Sequence, residues 1–250
     1  MPKIKQFTLF LIILAGLFFL FGPEIIPENF SPQEILSSVE NNDVIIIFNS
    51  GGWGNTPLGK AQDFAPIIDG IQRTLSERGY NSVVIPFDRT KNTFLGKMSG
   101  TKDFLNSFDF SSEILAKDLE FLTENLPDKK IILAGLSAGG AFTNKTMEKI
   151  PDKTKNSVYA IAAGMPFWSE PCPSENILFL DNNGKDALSE GELKSLVPSL
   201  IKAPFRWILS KINGQNFTFS QAFHASGHDY YWSSSGVGSP IVTFLENKFR

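Results

Sequence analysis

Lys129-Lys130-Ile131-Ile132-Leu133-Ala134-Gly135-Leu136-Ser137-Ala138-Gly139-Gly140-Ala141 is the stretch whose reading decides the fold. An apolar run of strand length ends in Gly-Leu-Ser-Ala-Gly. Small residues then lead into a segment of helical character that reaches Ile150. In a strand–turn–helix setting, Gly-x-Ser-x-Gly forms a tight turn that strains the serine backbone and exposes its hydroxyl. Positions two before and two after the serine must lack bulk, and Gly135 and Gly139 meet that need. The bare five-residue pattern is weak; the flanking strand and helix give it weight.

Outward from this turn, strands alternate with helices. Residues 44–48 are an unbroken β-branched and aromatic run, the pattern of a strand buried on both faces. Asn49-Ser50-Gly51-Gly52-Trp53-Gly54-Asn55 follows as a loop. Phe64, Ile67, Ile68, Ile71 and Leu75 lie at helical spacing, and Gly79 stops that helix. Residues 82–85 read as a second strand, ending in Pro86-Phe87-Asp88-Arg89, and residues 90–110 as a loop of mixed polarity. Leu115, Leu119, Leu122 and Leu126 mark the next helix. Beyond the serine turn, residues 157–163 and 177–180 read as the fourth and fifth strands. Phe167 and Trp168 lie in the Pro-rich loop between them.

Ser189-Glu190-Gly191-Glu192 matches a capping box. Leu193, Leu196, Val197, Leu200, Ile201, Phe205, Ile208, Leu209 and Ile212 then trace one apolar stripe, interrupted at Pro204 and read as core-facing. The alternative for Phe205-Arg206-Trp207 is contact with a membrane interface. Residues 215–223 read as a sixth strand, and Ile241, Phe244, Leu245 and Phe249 give a final helix one face. The prediction is an α/β fold: a doubly wound, mostly parallel sheet of about six strands. Sites in such sheets lie beyond the carboxyl ends of the strands. Residues 49–54, Ser137, residues 181–186 and His228 all fall there.

The chain has 250 residues, 42% hydrophobic and 20% charged, enough for one large domain with a sizeable core. A net charge of −3 without a basic block directs the reading away from nucleic acid. One cysteine, Cys172, excludes an intrachain disulfide and any multi-cysteine metal site. Two histidines, His224 and His228, are too few for a His-rich metal site, so no metal or cofactor is expected. At the N-terminus, Lys3 and Lys5 precede an uncharged apolar run at 7–22. That is a basic n-region and an apolar h-region. The expected organisation is a signal anchor or transmembrane helix over 1–22, a connector over 23–42 and the folded domain over 43–250. Cleavage and secretion are the alternative. The lysines before the run and Glu24, Glu28 and Glu34 after it predict a single-pass protein with its domain on the extracytoplasmic side.

Residues 43–250 resemble the α/β-hydrolase superfamily. The likeness rests on the order of elements and four signatures: the Gly135–Gly139 turn, Ser50-Gly51-Gly52-Trp53-Gly54 after the first core strand, Pro86-Phe87-Asp88-Arg89, and Gly227-His228. The chain departs from the family in three ways. The two strands that usually open the sheet are missing. Leu136 stands where histidine is common, and Asn49 or Gly51 takes the first position of the Gly-rich loop.

The resemblance implies a serine hydrolase with a nucleophile, acid and base in that chain order. Ser137 is the expected nucleophile. His228 is the expected base, with His224 in the tail of the sixth strand as the alternative. Asp186 is the expected acid, following the turn-forming Asn182-Asn183-Gly184-Lys185, with Asp181 as the alternative. The expected oxyanion donors are the amides of Ala138 and of Gly52 or Trp53. A serine hydroxyl needs such a base at hydrogen-bond distance, and the base needs a carboxylate to fix its tautomer. The functional expectation is a membrane-anchored, esterase- or lipase-like hydrolase acting on a small-molecule or lipid ester. The alternatives are an inactive binding or scaffold domain, or a peptidase or acyltransferase on the same fold. Trp53, Phe167, Trp168 and Trp232 would suit an apolar acyl group or serve as core.

Overall fold

The computed structural model describes Gly16, residues 30–214 and residues 225–250. The run at 7–22 (Gly16 apart), the strand read at 215–223 and His224 lie outside the described residues. Among the described residues, no helix is long and apolar enough to cross a membrane.

Five parallel strands, β1 (Val44–Asn49), β2 (Ser82–Pro86), β3 (Lys130–Leu136), β4 (Val158–Ala163) and β5 (Ile177–Leu180), form one sheet in the order β2-β1-β3-β4-β5. The helices are α1 (Pro32–Ser38), α2 (Ala65–Glu77), α3 (Phe94–Leu105), α4 (Asp109–Asn125), α5 (Ala138–Lys149), α6 (Asp152–Lys155), α7 (Ala187–Glu190), α8 (Leu193–Ile212) and α9 (Gly238–Lys248).

The strands are apolar throughout because helices cover both faces of the sheet. Ile45, Ile47, Ile131, Leu133, Ala160 and Ala162 face a layer built from Leu115, Leu119 and Leu122 of α4 and Phe142 and Met147 of α5. Their neighbours Val44, Ile46, Ile132, Ala134 and Ile161 face Ile67, Ile68, Ile71 and Leu75 of α2 and Ile241 and Leu245 of α9. The period-2 alternation of a strand thus divides one apolar run between two cores.

Four features differ from the sequence reading. The folded unit begins before Asp43: Phe30, Ile35 and Val39 are buried in the α4–α5 layer. Phe30 meets Phe87 edge-on at 5.1 Å, so the chain enters the fold at the carboxyl end of β2. Residues 94–105 form α3 rather than loop. Thr93 caps it, its hydroxyl accepting from the Gly96 amide at 3.0 Å. Asp186, not Ser189, is the N-cap residue in the next region, accepting from the amides of Leu188 (2.9 Å) and Ser189 (3.4 Å).

The fourth difference is the largest. Of the α8 stripe, Leu196 faces inward, but the members from Ile201 to Ile212 do not. Leu196, Ala203 and Ser210, seven residues apart, form its buried seam. Ile201, Phe205, Ile208, Leu209 and Ile212 face outward.

The turn between β3 and α5 is packed backbone against backbone. A Cβ on Gly139 would lie 2.1 Å from the Asn49 carbonyl oxygen, and one on Gly135 would lie 2.3 Å from that of Gly139. Neither neighbour is a side chain that can swing aside. Gly139→Ala is therefore expected to lower stability by about 1–3 kcal/mol or more, as overpacking does. Gly59→Ala, where a Cβ meets open space, should leave the unfolding midpoint within a degree or so. Thermal unfolding of the two variants checks this, and equal midpoints would refute the packing argument.

Candidate active site

Ser137 follows the last residue of β3 with φ 57° and ψ −121°. A residue with a Cβ adopts this conformation only when its surroundings impose it. Here the Ser137 amide donates to the Ala163 carbonyl at 2.8 Å, and the Ala141 amide returns to the Ser137 carbonyl at 3.0 Å. Ser137 is also the N-cap residue of α5, so the amides that follow it lack carbonyl partners within their own helix. The glycine loop after β1 lies alongside. A Cβ on Gly51 would sit 3.8 Å from Ser137 Cβ. The chain leaves β1 toward β2 on one side and returns to β3 on the other. The serine and the glycine loop thus meet at the topological switch point.

Asp186 is fully buried. Its Oδ2 is 2.8 Å from His228 Nδ1 and accepts from Tyr230 Oη at 2.7 Å and Ser189 Oγ at 3.1 Å. Its Oδ1 takes the Leu188 and Ser189 amides. Burial alone would raise the pKa of this carboxyl. The hydrogen bond and charge of His228, with the Tyr230 and Leu188 donors, outweigh burial and hold it below the usual carboxylate range. Tyr230 is buried, and desolvation beside Asp186 drives its phenol pKa upward, so it remains a donor. Asp181, the alternative acid, is exposed, and its backbone carbonyl accepts from the Asp186 amide.

The end of β4 joins these parts. The Ala163 carbonyl holds the Ser137 amide. At the next residue, a Cβ on Gly164 would lie 2.7 Å from His228 Cε1 and 3.1 Å from Asp186 Oδ2. The imidazole, the carboxylate and the serine backbone therefore converge on two consecutive residues.

The glycine loop is held from beneath by Arg89, which is buried. Its Nη2 donates to the carbonyls of Ser50 (2.9 Å) and Gly52 (3.3 Å). Its guanidinium lies over the rings of Phe108 (4.7 Å) and Phe142 (5.1 Å). Desolvation lowers its pKa to about 10, which leaves it charged at neutral pH. In a trans peptide the carbonyl and the following N–H point in opposite directions. With the Ser50 and Gly52 carbonyls turned to Arg89, the N–H groups of Gly51 and Trp53 face away from it.

The aromatic residues separate into different roles. Trp232 packs on α2, where a Cβ on Gly70 would lie 2.2 Å from its ring, so it belongs to the core. The Trp53 indole N–H donates to Thr101 Oγ1 at 3.2 Å. Phe167 and Trp168 are exposed. Cys172 is half-buried, and burial raises its thiol pKa. Among the described residues, no three His, Cys, Asp or Glu side chains cluster as a metal site would require.

Two contributors escaped the sequence reading. Tyr230 stands two residues after His228, but only the fold shows its hydroxyl reaching Asp186. Arg89 lay within a noted motif, yet its hold on the glycine loop is a tertiary contact.

No family model matches the chain, and no curated protein matches it. Solved structures do. A Trichoderma reesei cutinase in complex with a C11Y4 phosphonate inhibitor is similar over 76% of this chain and 87% of that chain, at 16% identity and a TM-score of 0.44. That likeness is too distant to transfer any residue role. The sheet order and the strained backbone of Ser137 are features of this chain's own structure.

Proposed function

We propose that the chain is a serine hydrolase that cleaves carboxylic esters, with Ser137 as nucleophile, His228 as base and Asp186 as acid. The observation that carries this reading is the 2.8 Å contact between buried Asp186 and His228 Nδ1, beside a serine held at φ 57°. Asp186 keeps the imidazole proton on Nδ1, which leaves Nε2 free to take the Ser137 proton. The Ser137 oxygen attacks the ester carbonyl, and charge develops on the carbonyl oxygen. The amides of Ala138 and Trp53 receive that oxyanion; losing one such donor typically costs about 3–4 kcal/mol. His228 then returns the proton to the leaving alcohol, and water repeats the cycle on the acyl-enzyme. Tyr230 is a positioning residue that fixes the Asp186 carboxylate.

Residues 7–22 serve in this reading as an uncleaved anchor that holds the domain on the extracytoplasmic side. The lysines before them and the glutamates after them support that topology.

A fluorophosphonate probe should label the wild type and not Ser137→Ala. Ester turnover of that variant should fall by several orders of magnitude. Folded wild type that resists the probe would favour the scaffold reading.

Asp186→Asn should lower turnover by up to about 10⁴-fold by permitting the wrong tautomer. Tyr230→Phe should cost less, and Asp181→Asn should turn over normally. Rates on one activated ester decide this, and a crippled Asp181→Asn beside a normal Asp186→Asn would reverse the assignment of the acid.

External protease added to intact spheroplasts should digest the domain. Its protection until lysis would place it on the inner side.

A further inference from the structure

We infer that the outward face of α8 docks on an anionic lipid surface and turns the mouth of the active site toward it. Ile201, Phe205, Ile208, Leu209 and Ile212 are each between 50% and 73% exposed. Taken at 100° per residue, they fall within one arc of the helix, opposite the seam of Leu196, Ala203 and Ser210. Leaving five large side chains on one face in water is unfavourable unless something covers them.

Three observations identify the cover. The first is charge: α8 carries four basic residues and no acidic one, and Lys194, Lys202 and Arg206 are exposed. An apolar face on a helix with only basic charges fits an anionic headgroup layer. Because no described helix is long and apolar enough to cross a membrane, α8 would lie in the interface plane.

The second is where the chain enters the fold. Phe30 sits on Phe87 at the carboxyl end of the sheet, the end that holds Ser137 and His228. Only residues 23–29 separate it from the apolar run at 7–22, a span of at most roughly 30 Å. If that run lies in a bilayer, the catalytic end of the domain stays close to the same surface.

The third is continuity with the site. α8 starts seven residues after Asp186, and its Leu196 packs with Ala187 and Leu188 of α7 and with Ala225, three residues before His228. Exposed Phe167 rests on Gly191 at the root of α8, with Trp168 beside it at 5.0 Å, and aromatic rings favour the headgroup level. This inference rests on the proposed anchor for its second observation and on the proposed esterase only for its consequence, that lipid-borne esters reach Ser137.

The test uses the full chain carrying Cys172→Ser and Phe205→Cys, with an environment-sensitive fluorophore on the new thiol. It is reconstituted in vesicles of phosphatidylcholine with or without phosphatidylglycerol. Glu77→Cys, at the far end of α2, carries the control label. With phosphatidylglycerol present, the label at 205 should shift to the blue and be quenched by doxyl-labelled lipid chains, and added salt should weaken both effects. The control label should report water throughout. The docking surface is refuted if the two labels behave alike. It is equally refuted if the label at 205 is shielded but not quenched by lipid, which would mean a second copy or the chain's own N-terminal segment covers the helix. The readout needs no catalysis and is repeated with Ser137→Ala, so a failure of the esterase reading leaves it decisive. In an active chain, replacing Ile201, Phe205 and Ile208 by serine should lower the ratio of rates on vesicle-borne and soluble esters by about tenfold or more. An unchanged ratio would overturn the inference.

Discussion

Everything at the carboxyl end of the sheet depends on the ends of β1, β3 and β4 meeting the head of α5 without side chains between them. Gly139 lies against the carbonyls of Asn49 and Ser50, Gly140 against that of Ala163, and Gly135 against Gly139 itself. These contacts set the height of the β1 loop, the serine turn and the end of β4 relative to one another. They also position the strained Ser137 backbone between the glycine loop and the imidazole. Asn49 strengthens the join, its Nδ2 donating to Thr143 Oγ1 of α5 at 2.9 Å.

Two buried charges then stiffen this frame by different means. A buried ion is costly unless hydrogen bonds replace its water. Asp186 receives donors from His228 and Tyr230 of one loop and from the first turn of α7, so two chain segments share one carboxylate. Arg89 has the opposite sign and uses backbone carbonyls and aromatic faces instead. Its partners lie in the glycine loop, at the head of α4 and in α5, and the first and last of these border Ser137. The glycine loop and the His228 imidazole are therefore each anchored by a buried ion.

The central sheet was legible because each strand is an uninterrupted apolar run between turn residues. The serine turn was legible because its glycines have a steric cause. α3 was not, because Phe94, Leu95 and Leu105 are exposed and offer no core-facing stripe, while Gly96 and Gly100 are packed closely. Only Thr93, a cap residue, marked its start. α1 was read as connector because Ile35 and Val39 give a single turn of periodicity, although Pro32 at its first turn was a signal. The exposure of α8 from Ile201 on was not legible because hydrophobic spacing reveals that a face exists, not what covers it. Asp186 was preferred over Asp181 from the turn before it, the helix read after it and the glycine at 184, without sight of its own capping role or of its Tyr230 donor.

The contact between Phe30 and Phe87 has a mechanical side. Any force carried by residues 1–29 enters the fold on Phe87, whose ring stacks on Phe142 at 5.5 Å. Phe142 in turn lies under the guanidinium that grips the glycine loop. A pull on the N-terminal segment therefore loads an aromatic column ending beneath the glycine loop. Tension on the entering chain would thus be felt at the glycine loop through three packed rings and a guanidinium.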